Sequence, residues 1–269
     1  MLYLLGLVQG HCTMNMSKAE CTAAITRSIS NGKRSPLASF DSRKYIQHNL
    51  FIGDGLSSIL AFMDSLPPER TRAEVVRSFE DGEFSVVHAN YELGVWGPML
   101  GFEVHRWEDD RIVEHWDNLC ATPSAVNSSG RSMIDGETEQ AELERTEQNR
   151  FLVRRFAFEV LLRGRLDDPA SFFRDDELIQ HSPTYGDGVS VFRAELSRWG
   201  GERKLRYERV HRILGQGNLF LVMSDGVLKD KPTAFYDLYR LHNGFIVEHW
   251  EIFETIPPRS EWKNENGKF

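Results

Sequence analysis

The chain is poor in cysteine and in positive charge, and it has no apolar run long enough to cross a bilayer. Its three cysteines, Cys12, Cys21 and Cys120, all fall in the first half. That is too few and too scattered for a disulfide framework or a zinc site. Lys and Arg number 32 against 40 Asp and Glu, a net charge of −8. Such a balance argues against nucleic acid or an anionic membrane surface as partner. No Gly-x-Gly-x-x-Gly, Walker loop or Gly-x-Ser-x-Gly occurs, so nucleotide binding and serine-hydrolase chemistry have no support. The apolar start lacks a basic region, and its run of roughly seven residues is short for a signal peptide and far too short for a membrane span. It reads as a loose N-terminal segment, and the protein as cytoplasmic.

What is present is a repeat. Ile112-Val113-Glu114-His115-Trp116-Asp117 returns as Ile246-Val247-Glu248-His249-Trp250-Glu251, with five consecutive residues identical. Gln47-His48 answers Gln180-His181, Gly53-Asp54-Gly55 answers Gly186-Asp187-Gly188, and Phe102-Glu103 with Arg106 answers Tyr236-Asp237 with Arg240. All fall at nearly one offset. Solenoid units are only about 20–50 residues long, whereas this spacing is that of a full domain. The chain therefore reads as a tandem duplication, equivalent to a fused symmetric dimer. A hydrophobic content of 41% is enough for two ordinary cores.

Each half runs helices first and strands afterwards, which spells α+β. In the first half the spacing predicts helices over 18–30 and 56–65 around a polar loop at 48–55. Strands follow over 73–79, 84–91, 99–107 and 111–120. In the second half it predicts a helix over 142–163, a short helix reaching 173, a loop at 181–188 and a helix over 189–199. Strands follow over 207–214, 219–224, 234–241 and 246–253. The expected divisions are a loose segment 1–16, a first domain 17–120, a linker 121–140, a second domain 141–258 and a tail 259–269.

Alternation along a strand puts Val113, His115 and Asp117 on one face and Ile112, Glu114 and Trp116 on the other. Glu103, His105 and Trp107 share a face of the preceding strand, and a tight turn would bring Glu103 near Asp117, and Asp237 near Glu251. Two carboxylates so placed form an acid/base pair whose pKa values burial and repulsion drive apart. The structural alternatives are a satisfied buried histidine, Gly-Asp-Gly as plain turn chemistry, and Trp116 and Trp250 as packing or interface anchors. A metal site of His and Asp has no specific ligand spacing here, and neither metal nor cofactor is expected.

The ordered set "YIQHN", "GDG", "FSVVH" and "GFEVHRWEDDRIVEHWD" resembles the SnoaL-like polyketide cyclases of the nuclear-transport-factor-like superfamily, over 40–120 and again over 172–256. The resemblance implies a cone-shaped α+β barrel in each half: a curved antiparallel sheet wrapped on helices around an apolar cavity, paired as an intramolecular pseudo-dimer. It implies a cofactor-independent aldol cyclase or isomerase acting on a small, hydrophobic, carbonyl-bearing, polyketide-like substrate. Asp117 would be the base, with His115, His48 and His88 orienting the substrate or holding the enolate. Asp54, Glu103, His105 and Trp116 would complete that pocket. His181, Asp237, His249, Trp250 and Glu251 would form a second pocket, weakened because Met223 and Ser224 stand near the position of His88. The first pocket is accordingly expected to be the active one. A non-catalytic binding or interaction protein, or water addition to an epoxide, are the competing readings.

Overall fold

The computed structural model describes residues 16–31, 35–202 and 204–269; of the expected loose segment 1–16, only Met16 lies within them. In the first half, α1 (Lys18–Asn31) and α2 (Leu56–Ser65) flank a two-residue strand β1 (Ile46–Gln47). Strands β2 (Thr71–Asp81), β3 (Phe84–Leu93), β4 (Pro98–Glu108) and β5 (Arg111–Ala121) follow. The second half repeats the order with α3 (Thr146–Phe156), β6 (Ile179–Gln180), α4 (Val189–Trp199), β7 (Leu205–Gln216), β8 (Leu219–Leu228), β9 (Lys231–His242) and β10 (Phe245–Thr255). The sheets have matching orders, β1-β5-β4-β3-β2 and β6-β10-β9-β8-β7. Two α+β domains in tandem are thus the architecture.

The expected elements are present, with every long strand extended by a few residues. The helix expected over 142–163 breaks instead into a 3-10 turn Leu143–Arg145, α3, and a π-helical turn Ala157–Leu161. Strands β1 and β6 were not legible because two residues carry no alternation. They pair in parallel with β5 and β10, so each sheet is mixed.

Tight turns set the register that matters. Asp109 and Asp110 both have positive φ between β4 and β5, as do Asn243 and Gly244 between β9 and β10. Two successive left-handed residues match the twist of the flanking strands and hold the hairpin in strict register. Glu103 therefore faces Asp117 and His105 faces His115, while Asp237 faces Glu251 and Tyr239 faces His249. A bulge at Val113, and another at Val247, interrupts the pairing. The extra residue shifts the alternation, so Ile112 packs with Trp107 on the inner face rather than beside Glu114 and Trp116.

The sheets pack on each other through their outer faces. Phe79, Phe102 and Trp116 of the first domain meet Leu221, Tyr236 and Trp250 of the second in one core in which all six are essentially fully buried. At roughly 1.5–3 kcal/mol for each large side chain withdrawn from water, this layer couples the two domains strongly.

The expected linker and tail are ordered straps. Asn127 of the linker donates from Nδ2 to the carbonyls of Gln180, Ser182 and Tyr185 in the second domain. Asn264 of the tail donates to those of Asn49 and Ile52 in the first. Each domain's trailing segment thus crosses onto the other domain's polar loop. Gly136 (φ +92°) marks how tightly the linker passes, since a Cβ there would lie 2.0 Å from Glu248 Oε1. Among the described residues no helix is long and apolar enough to cross a membrane. Cys21 is disulfide-bonded, a single bridge and not a framework, and Cys120 is a free thiol.

Candidate active site

The inner face of the first sheet, with α1, α2 and the segment 35–52, encloses a cavity of about 100 Å³. Ile25, Ile29, Phe40, Ile59 and Phe62 supply apolar walls. Polar groups converge from one side: Glu103 and His105 on β4, His115 and Asp117 on β5, Tyr91 on β3, and Tyr45 and Asn49 flanking β1.

These groups form a connected network. Glu103 Oε2 lies 2.5 Å from His115 Nε2, and Glu103 Oε1 accepts from the Tyr91 hydroxyl at 2.7 Å. Gln47 Oε1 accepts from the Asn49 backbone N–H, which fixes the amide's orientation, and lies 3.0 Å from His115 Nδ1. Both His115 nitrogens therefore face acceptors, the arrangement of an imidazolium. Burial alone would lower its pKa, but the hydrogen bond and charge of Glu103, aided by Asp117, raise it. Asp117 Oδ2 accepts from Asn49 Nδ2 at 2.6 Å. Burial, with Asp117 and Glu103 nearby, pushes the Tyr45 phenol well up, and burial with Glu103 does the same to Tyr91, so both remain proton donors.

His105 differs from its neighbour. Its ring lies 4.6 Å from that of His115, and burial, reinforced by the positive charge of His115, holds its pKa well below the usual value. It is neutral, and its Nδ1 has no hydrogen-bond partner among the described residues. A buried polar atom left unmatched at a cavity wall is a place for a ligand to bond. The wall thus offers a neutral imidazole, an imidazolium and two carboxylates in one apolar chamber, which suffices for moving protons on a small molecule.

Glu103, His115 and Asp117 present potential ligand atoms within 4.8 Å of one another, as do Asp237, His249 and Glu251. In the first set the Glu103 and His115 atoms are committed to each other, to Tyr91 and to Gln47. Asp117 is bonded by Asn49 at one oxygen and faces Lys268 Nζ at the other, 3.4 Å away. A cation would have to displace a buried ammonium, so the donor set fits proton chemistry better than metal binding.

The expected first pocket is corrected in four of its members. His48, His88 and Trp116 point away from the cavity, into the layer between the domains. His48 bonds Glu114 at 2.9 Å, Arg106 bonds Glu114 at 2.7 Å, and the His48 ring stacks 4.8 Å from Trp116. His181, Glu248, Arg240 and Trp250 reproduce this, with distances of 2.8, 2.6 and 4.7 Å. Each tryptophan also carries a guanidinium from the other domain, Arg212 over Trp116 at 4.2 Å and Arg77 over Trp250 at 4.1 Å. His88 accepts from Arg77 at 3.1 Å and packs on Phe102, so it belongs to the interface. Asp54 sits in the exposed loop, where it accepts from the Gln47 backbone and from Asn266. The repeated Ile-Val-Glu-His-Trp thus serves two faces: its histidine turns inward, while its glutamate and tryptophan build the pseudo-twofold interface.

The second set is corrected as well. Asp237, His249 and Glu251 keep the inward positions, and Asp237 accepts from both Tyr207 and His249. Aromatic side chains fill the space above them: Tyr239 stacks on His249 at 4.6 Å, and Phe156 packs on Tyr239 at 5.3 Å. Gln180 turns its amide N–H toward His249 Nδ1, making that nitrogen an acceptor, the reverse of His115. Tyr239 occupies the register position of His105, and Ser182 that of Asn49. His181 and Trp250 lie in the interface.

Residues the sequence reading missed include Tyr45, Gln47 and Asn49, whose alternation beside His48 places them on the inner side. Tyr91 was missed too; its strand alternation carried that signal. Lys268 had none.

No protein-family model matches the chain, and no curated protein sequence matches it. Among solved structures, an NTF-2-like protein of unknown function from Burkholderia xenovorans is 22% identical. That match covers 45% of this chain and 97% of that one at a TM-score of 0.36. An LEH-like epoxide hydrolase from M. tuberculosis is 18% identical, covering 41% and 85% at 0.33. IdmH, a candidate polyketide cyclase from Streptomyces antibioticus, is 17% identical, covering 37% and 88% at 0.31. Both halves carry the α+β fold expected of them.

Proposed function

We propose that the first domain is a cofactor-independent acid/base enzyme for a compact, mostly apolar, carbonyl-bearing molecule, and that the second domain is a filled copy that supports it. The observation that carries this reading is the wall of the 100 Å³ cavity, where Asp117 and Glu103 face each other across β4 and β5 beside His115 and the unmatched Nδ1 of His105. Asp117 takes a proton alpha to the carbonyl. The imidazolium of His115, whose two N–H groups are held by Glu103 and Gln47, stabilises through its charge the oxygen that becomes negative, and His105 supplies the direct bond. A positioned acid/base group contributes typically about 10²–10⁴-fold.

The test is α-proton exchange. Ketones and β-dicarbonyl compounds found to bind by native mass spectrometry are incubated with the protein in D2O, and their α-protons are followed by NMR. Exchange that disappears in Asp117→Asn while the fold persists supports the reading. Unimpaired exchange in that variant would remove Asp117 from its role.

A second reading, ligand binding without turnover, is favoured by one specific feature: Asp117 faces a donor at each oxygen, Asn49 and Lys268, which weakens it as a base. Bound compounds recovered unchanged and without exchange would select it. A diol formed from an epoxide would select water addition.

A further inference from the structure

The tail contributes more than a strap. Lys268 comes from the segment beyond the second domain, yet its side chain is only 3% exposed and ends between a carboxylate of each domain. Its Nζ lies 2.8 Å from Glu254 Oε2 and 3.4 Å from Asp117 Oδ1. The segment is fixed on both sides of it. Asn264 and Asn266 bond the loop 47–54, Gly267 O accepts from His48 Nδ1 at 2.8 Å, and the Phe269 ring stacks 4.0 Å from His211. Burying a long, flexible ammonium costs desolvation and rotamer entropy, and such a group persists where it is paired.

The other strap does something different at the same place. Asn127-x-x-Gly130-Arg131 corresponds to Asn264-x-x-Gly267-Lys268, but Arg131 pairs with the half-exposed Asp187 at 3.2 Å. A buried cation beside the inward carboxylate is thus a feature of the half that keeps its cavity.

We propose that Lys268 is a positioning residue for Asp117: the second domain's tail delivers the counter-charge that pairs with this carboxylate and fixes it at the cavity wall. The inference rests on Asp117 belonging to the reacting cluster proposed above. The groups around Asp117 are Glu103 and His115 on its own sheet, Tyr45 and Asn49 from the loop, Tyr236 and Glu254 from the second domain, and Lys268. Three carboxylates there are matched by two cations. Without Lys268, three carboxylates would share one imidazolium in a water-poor region, which makes charge costlier on Asp117 as well as on Glu254, whose pKa burial already pushes up. The active pocket is in this sense composite, completed by a residue the first domain does not contain.

The test reads charge and not turnover. In the full chain, the Asp117 carboxyl is titrated by ¹³C NMR in the wild type, Lys268→Met and Lys268→Arg. An opposite charge at this range moves a carboxylate by about 1–3 pH units. The Asp117 midpoint should therefore rise by at least about one unit in Lys268→Met, and Lys268→Arg should restore most of it. A merely structural lysine would leave the midpoint in place. If Lys268→Met fails to fold, Asp117→Asn reads the same coupling from the other side, because the coupling is reciprocal: the Lys268 amine midpoint should fall by a matching amount. A midpoint that stays put in the folded variant overturns the proposal. Neither arm uses a substrate, so failure of the α-proton chemistry would not be mistaken for failure of this coupling.

Discussion

Two buried histidines give the protein a defined weakness to mild acid. Burial, with Arg77 and His181 nearby, holds His88 well below the usual imidazole value of 6.5, and burial with His115 does the same to His105. Each stays neutral in the folded protein, while the unfolded chain takes up a proton on each as pH falls below 6.5. Stability is therefore lost on acidification, from 6.5 downward, until the folded-state values are reached. Each such group costs about 1.4 kcal/mol per pH unit. Between pH 6.5 and 5.0 the pair together should cost up to about 3 kcal/mol, a large share of the roughly 5–15 kcal/mol typical of domains. His115 has the opposite sign. Its raised pKa contributes stability that is fully present below 6.5 and lost as pH rises through the folded value, so it is flat across this window. The depressed carboxylates Glu114 and Glu248 contribute stability present above about 4.5 and lost at still lower pH. The assay is urea unfolding followed by circular dichroism at pH 6.5, 5.75 and 5.0. The comparison is between the wild type and a double variant, His88→Met with His105→Tyr, which installs the second half's own residues, Met223 and Tyr239. Contributions from Glu254 and other groups are common to both proteins and cancel in the difference. The variant's acid slope should be shallower by up to about 2.8 kcal/mol per pH unit, whatever its baseline stability. Equal slopes would refute the neutrality of these histidines.

Other outcomes follow from the same geometry. Asp117→Asn should abolish α-proton exchange, whereas Glu251→Gln, beneath the aromatic plug, should leave the rate within about tenfold while lowering stability by about 1–3 kcal/mol; parallel rate measurements decide. Arg77 is buried and donates to the carbonyls of Asp135 and Glu137 as well as to His88. Arg77→Met should therefore cost about 2–4 kcal/mol, and Arg212→Met, at a half-buried position, clearly less; denaturant midpoints give the order. Asn264→Ala frees two buried carbonyls and should lower the melting temperature by several degrees, at about 2–4 °C per kcal/mol for a chain of this size. Scanning calorimetry reads that shift.

The sequence alone determined the duplication, the helix-then-strand order and the shared strand face of His115 and Asp117. Repetition and period-two alternation are local signals that survive in a string of letters. The turns at Asp109-Asp110 and Asn243-Gly244 also announced the hairpins that set Glu103 opposite Asp117 and Asp237 opposite Glu251. Only the tertiary structure decided which repeated residues serve the pocket and which the interface. His48 recurs as His181, and Trp116 as Trp250, because a pseudo-twofold contact constrains both copies as strictly as chemistry would, and recurrence cannot tell these causes apart. The bulges at Val113 and Val247 reversed the face of Ile112 and Ile246, a one-residue event that alternation cannot register. The filling of the second cavity depends on Phe156, Tyr239 and their neighbours meeting from helices and strands far apart in the chain. Lys268 reaches Asp117 across 151 residues of sequence. A contact of that span leaves no periodic trace, since it is made by the folded domains closing on each other and by nothing nearby in the chain.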